Sequence, residues 1–158
     1  MEAIDLVGNR SVEFVEIFWE DQTKPPIIIE IWIGKLYSFI NKEYKKLEVA
    51  PCIVNNRTIV PLRFIAEGFL AVVNYDPLSQ KIRISLDNTL ITLQINYSFA
   101  LLEIKKGEEL IRNLISLDTP PIIQNGRTLV PLRFIADGFS AITEWNALEE
   151  KVTIVLNH

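Results

Sequence analysis

Four arginines recur at one spacing in this chain: Arg57 and Arg63, then Arg127 and Arg133 seventy residues later. Each pair brackets the start of an apolar run with helical periodicity, in RTIVPLRFIAEGF and RTLVPLRFIADGF. A helix start leaves backbone N–H groups without partners and carries partial positive charge, so two guanidiniums beside it form an anion pocket in principle, suited to a uronate or a phosphate. Valine cannot cap, and Val60 and Val130 stand where the caps are expected. The opposing expectation is that Arg57 and Arg127 bond to backbone carbonyls of a neighbouring strand or loop and brace a turn. Duplication favours the brace, because a residue present in both copies most simply serves what the copies share. Glu67 and Asp137 follow Arg63 and Arg133 by four residues, which predicts surface i,i+4 ion pairs worth about 0.2–0.5 kcal/mol each and in the less favourable orientation.

Other chemistry is sparsely provided. The only histidine is His158, so no serine–histidine or cysteine–histidine nucleophile pair is available inside the chain. Cys52 is the only cysteine, which excludes an internal disulfide, and it aligns with Ile122, which predicts a small buried apolar role. No glycine-rich loop precedes a helix. A net charge of −4 with no basic cluster argues against a nucleic-acid partner. The longest apolar stretch, near 64–73, is interrupted by Glu67 and Gly68 and falls short of a membrane span. No cofactor and no metal are expected. Trp19, Trp32, Tyr37, Tyr44, Tyr97 and Trp145 would make a sugar-stacking platform if several were exposed on one face, although aromatics in short alternating strands are expected mostly in the core.

The elements that must position these residues come twice. Between Pro51–Leu86 and Pro121–Leu156 an ungapped offset of 70 leaves 19 of 36 positions identical. In each copy two short apolar runs flank a pair suited to positive φ, Asn55-Asn56 or Asn125-Gly126, the signal of a tight hairpin. A helix follows, with Pro61 or Pro131 at its first position. Leu62, Ile65, Ala66 and Phe69 share one face, as do Leu132, Ile135, Ala136 and Phe139. Two strands close each copy, the last alternating at Ile82, Ile84, Leu86 and at Val152, Ile154, Leu156. Upstream of each core lies a strand pair turning at NKEY or KKGE, longer in the second copy. The fold class is α+β: two tandem modules, each a mostly antiparallel β meander with one α-helix packed on the sheet. The boundary near Asp87-Asn88 has an alternative, a hairpin joining the copies so that they share a sheet.

The block N-[NG]-RT-[IL]-VPLRFIA-[ED]-GF-x-A, followed by [YW]-[DN] and K-[IV]-x-I-x-L, resembles the stalk repeat named after the N-terminal domain of copper amine oxidases. The resemblance covers residues 27–158 and assigns 25–87 to a first stalk-like repeat and 88–158 to a second. Residues 1–24, with D-x-x-GN-x-S and D-x-T-x-PP, resemble the tail and exit linker of a bacterial immunoglobulin-like domain; an extra N-terminal hairpin is the plainer alternative. These resemblances imply a non-catalytic stalk or spacer of an exported bacterial cell-surface protein, its signal peptide lying outside this fragment. Partners are then cell-wall polysaccharide or neighbouring domains of the same protein. A carbohydrate- or cell-wall-binding module is the alternative, with Arg57, Arg63, Arg127, Arg133, Trp145 and Tyr75 as anion or glycan contacts. The family usually has glycine directly after the helix; here Leu70 and Ser140 stand there, and a left-handed cap on leucine is costly, so a different helix exit is expected. Asn74-Tyr75-Asp76 spells the context in which those oxidases build a quinone from tyrosine. The copper that chemistry needs takes three histidines, and Tyr75 aligns with Trp145, which cannot become that quinone. Oxidase activity is therefore the least expected function, and packing in the core or at an edge is expected for both rings.

Overall fold

The computed structural model describes residues 24–157, so all but the end of the immunoglobulin-like stretch, together with Trp19 and His158, lies outside the described residues. Strand β1 (Ile27–Trp32) buries Ile27, Ile29 and Ile31 and turns the alternate residues outward. Strands β2 (Tyr37–Ile40) and β3 (Glu43–Lys46) form a hairpin with Asn41 and Lys42 at positive φ. Strands β4 (Cys52–Val54) and β5 (Arg57–Pro61) form the next hairpin, with Asn55 at φ 52° and Asn56 at 62°, the mirror-image turn that suits strand twist. Helix α1 (Leu62–Phe69), β6 (Val72–Asp76) and β7 (Lys81–Leu86) complete the first copy. The second runs β8 (Thr89–Gln94), β9 (Phe99–Lys106), β10 (Glu109–Ser116), β11 (Ile122–Gln124) and β12 (Arg127–Pro131), then α2 (Leu132–Gly138), β13 (Ile142–Asn146) and β14 (Lys151–Leu156). β9 and β10 have 8 residues each where β2 and β3 have 4. Upstream of that hairpin the copies are therefore offset by 62, so that Ile29 matches Ile91, and downstream by 70.

The sheets are shared between the copies. Asp87-Asn88 is the two-residue turn of a hairpin that lays β8 beside β7, with Leu86 opposite Thr89. Because β8 thereby takes its outer partner from the first copy, the matching edge of β1 is left to the chain's last strand. β14 fills it along the full length of β1, from Ile27 opposite Leu156 to Trp32 opposite Lys151. One five-stranded sheet is β13-β14-β1-β2-β3 and the other β6-β7-β8-β9-β10, each with strands from both halves. A four-stranded sheet, β11-β12-β5-β4, joins them; Val60 lies opposite Val130, flanked by Ile59 opposite Pro131 and Pro61 opposite Leu129, so a local twofold passes through the valines. The α+β class and the mostly antiparallel pairing agree with expectation, whereas each five-stranded sheet draws on both copies in place of one meander per module.

Both helices pack inside this frame. Pro61 and Pro131 are extended (ψ 123° and 118°) and end their strands, so the helices begin one residue later than expected. Glycines 68 and 138 serve close approach: a Cβ on Gly68 would lie 2.6 Å from Cδ1 of Ile29, and one on Gly138 2.7 Å from Cδ1 of Ile91. The helix exit departs from expectation. Leu70 and Ser140 both adopt the left-handed conformation, each at φ 63°. The hydrogen bonds there explain it: Ala71 N–H donates to the Ala66 carbonyl and Ala141 N–H to that of Ala136, each at 2.8 Å, closing helix carbonyls that would lack donors. The Leu70 side chain is 72% exposed. Phe69 and Phe139 meet edge-on near the twofold, ring centroids 6.1 Å apart, within one apolar cluster drawn from both copies.

Candidate functional site

The two hairpin arginines reach across to the other copy. Arg57 Nε donates to Asp118 Oδ2 at 3.0 Å, and its Nη2 donates to the same oxygen. Arg127 pairs with Glu48, the residue seventy positions before Asp118. The main acceptors are not the expected backbone carbonyls but carboxylates of the opposite copy, with the carbonyls of Asn56 and Gly126 at 3.4 Å as secondary ones. Both ion pairs are largely solvated, so each contributes about 0–1 kcal/mol. The i,i+4 pairs are not formed: neither Arg63 with Glu67 nor Arg133 with Asp137 comes within ion-pair distance.

The crossing gathers three of the six candidate contacts. Arg57 from the first copy, with Arg133 and Trp145 from the second, line one cleft of about 590 Å³, together with Asp118 and Glu144. Arg127, Arg63 and Tyr75 occupy the equivalent positions about the local twofold. Strand register explains Trp145. It lies opposite Val152, which is buried, so its ring is on the inward row of the sheet. β13 is an edge strand, however, and the ring extends past the core into the cleft with 49% of its surface exposed. Tyr75, on edge strand β6, is 44% exposed. Both rings are thus edge residues and neither is core.

The other aromatics are also more exposed than expected. Tyr37, Tyr44, Tyr97 and Phe99 are exposed, and Trp32 is partly so. Trp32, Tyr37, Phe39 and Tyr44 form a chain on the outer face of the sheet containing β1, with centroids 5.0–6.1 Å apart. Their planes are inclined at 46–76°, so they present edges and faces alternately and do not form a flat platform. Lys151 stands 5.3 Å above the Trp32 ring and donates to Glu30 at 2.7 Å. That hydrogen bond holds its ammonium above the ordinary lysine range.

The Asn74-Tyr75-Asp76 triplet has a local structural role. Asp76 accepts from Ser79 Oγ at 2.8 Å and from Leu78 N–H at 3.0 Å, which organises the turn into β7 and lowers its carboxyl below the usual aspartate range. Asn146 does the same in the second copy, accepting from Leu148 and Glu149 N–H. No group of three or more histidine, cysteine or carboxylate side chains able to hold a metal occurs among the described residues. Cys52 is half-buried, not fully buried, against Val49, Ile59 and Leu129, and burial pushes its thiol up, away from the nucleophilic thiolate. No described helix is long and apolar enough to cross a membrane. Asp118, Glu48 and Glu144 were not picked out by sequence reasoning. The signal for the first two was available, because the offset of 70 continues upstream through Leu47/Leu117 and places an acid at the same point of each copy.

The fold is an α+β arrangement of mostly antiparallel sheets in which polar residues of the two copies meet at their join. A family model described as the copper amine oxidase N-terminal domain matches residues 16–84 and, in an overlapping range, 39–154. The chain belongs to that family, whose domain is distinct from the catalytic part of those enzymes. No curated protein and no solved structure matches it.

Proposed function

We propose that this chain is a non-catalytic structural and interaction module of an exported bacterial cell-surface protein, with its two copies acting as one interleaved unit. One observation carries the reading: the duplicated residues are engaged in the fold. Arg57 and Arg127 tie the copies together, Gly68 and Gly138 admit the helices to β1 and β8, and Asp76 and Asn146 organise matching turns. Location at the surface follows from the resemblance of residues 1–24 to an immunoglobulin-like tail. Antibody labelling of intact source cells tests it: signal without permeabilisation is expected, and signal only after lysis would overturn the exported setting. Hydrogen peroxide release from amines in the presence of cupric ion should stay at background.

A carbohydrate- or wall-binding role is the second reading, favoured by the exposure of Trp145, Tyr75, Tyr37 and Tyr44. Sedimentation with insoluble polysaccharides and isolated cell wall checks it. Saturable retention supports binding, and none supports a spacer alone.

A further inference from the structure

We propose that the cleft between the copies is a binding site for a neutral oligosaccharide, with the Trp145 ring as its stacking surface. The inference rests on the interaction half of the function proposed above and gives it a location and a ligand class. Among the ionisable residues that line the cleft, Glu144 alternates with Trp145 along β13 and turns its carboxylate to the other face of the sheet, which leaves Arg57, Arg133 and Asp118. Arg57 is occupied by Asp118, which counts against a uronate or phosphate pocket. What remains is matched to sugar hydroxyls. Both hydrogen bonds from Arg57 to Asp118 go to Oδ2, which leaves Oδ1 as an acceptor, while Arg133 supplies donors.

A pyranose has polar edges and an apolar C–H face, and Trp145 is a large ring half-exposed beside those groups. Little in the fold requires it: Tyr75 takes the matching place in the first copy. The volume, about 590 Å³, lies within the ~300–1,000 Å³ typical of small-molecule sites. The outer-face aromatics are the competing site, but their inclined planes suit a flat sugar chain poorly.

The test is an NMR titration of the full chain with cellotetraose, N-acetylchitotetraose and mannotetraose, and with trigalacturonate as the anionic comparator. At least one neutral tetrasaccharide should shift the Trp145 indole N–H and the amides of β13. Trp145→Ala should weaken that binding about tenfold or more. Trp145→Tyr, which installs the side chain that the first copy tolerates, should retain part of it, and Tyr75→Ala should leave it unchanged. The proposal is overturned if no neutral tetrasaccharide binds at millimolar concentration, or if trigalacturonate binds tighter than all of them. It is also overturned if Trp32→Ala abolishes binding while Trp145→Ala and Trp145→Tyr do not weaken it. Any of these would leave the structural reading intact, since that rests on the part the duplicated residues play in the fold and not on a ligand.

Discussion

The sheet built on β1 and the sheet built on β8 match on the side that faces the core. Ile29 corresponds to Ile91, Ile31 to Leu93, Val152 to Ile82 and Ile154 to Ile84, and all eight are buried. The outward sides differ. Where the first sheet places Glu30, Trp32, Tyr37 and Phe39, the second has Thr92, Gln94, Phe99 and Leu101. The longer β9–β10 hairpin adds exposed Leu110 to the second sheet, and exposed Leu114 stands where the first has Tyr44. Inner faces are held alike because each helix must be received by the same apolar surface at the same close distance. Outer faces carry no such constraint, and they, with the cleft at the join, are where individual binding properties can arise.

Breaking the shared interior should have the largest effect. Phe69→Ala, at a side chain 1% exposed, is expected to cost about 3–5 kcal/mol in chemical denaturation. Phe139→Ala should approach that loss, and the double variant should fall short of additivity because the rings touch. Equal effects would sharpen the symmetry; a negligible effect at one ring would break it.

The helix exits come next. A left-handed L-residue costs about 1–2 kcal/mol, whereas glycine loosens the unfolded chain by about 0.4–1 kcal/mol. Leu70→Gly and Ser140→Gly should each raise stability by about 1 kcal/mol or less, seen as a shift of the denaturation midpoint. A loss would mean that the exit in solution is not left-handed.

Smaller still is the effect of the crossed ion pairs. Arg57→Ala and Arg127→Ala should each cost no more than about 1 kcal/mol, with the difference from the parent shrinking in high salt.

The turns separate the copies by titration. Asp76 has a folded value below its unfolded one, so its contribution is fully present above about pH 3.9 and is lost as pH falls through the folded value. Asn146 cannot titrate. Asp76→Asn should therefore remove a small acid-side loss of stability, detectable by comparing denaturation midpoints at pH 5 and below about pH 3.9.

Local elements were legible in the sequence because short-range chemistry dictates them. Asn125-Gly126 marked its hairpin, Ile82, Ile84 and Leu86 marked a closing strand, and Leu62, Ile65, Ala66 and Phe69 marked the helix face. The partner of β1 was not legible: alternation says that Ile27, Ile29 and Ile31 are buried but not which strand lies beside them, and β14 is more than a hundred residues away. Glycine was read as a matter of backbone freedom, whereas at Gly68 the missing Cβ makes room for Ile29. The cleft stayed hidden for a related reason. Arg57 and Trp145 are brought together only because the copies interleave, and Trp145 is exposed only because its strand is an edge.

That interleaving is tested most directly by splitting the chain in the Asp87-Asn88 turn and examining residues 24–87 and 88–158 separately and mixed. Neither half should behave as a folded monomer alone, since each lacks a strand partner for β1 or β8, and mixing should give a one-to-one complex with a single cooperative unfolding transition. Two halves that are each monomeric and folded, and that ignore one another when mixed, would contradict the account.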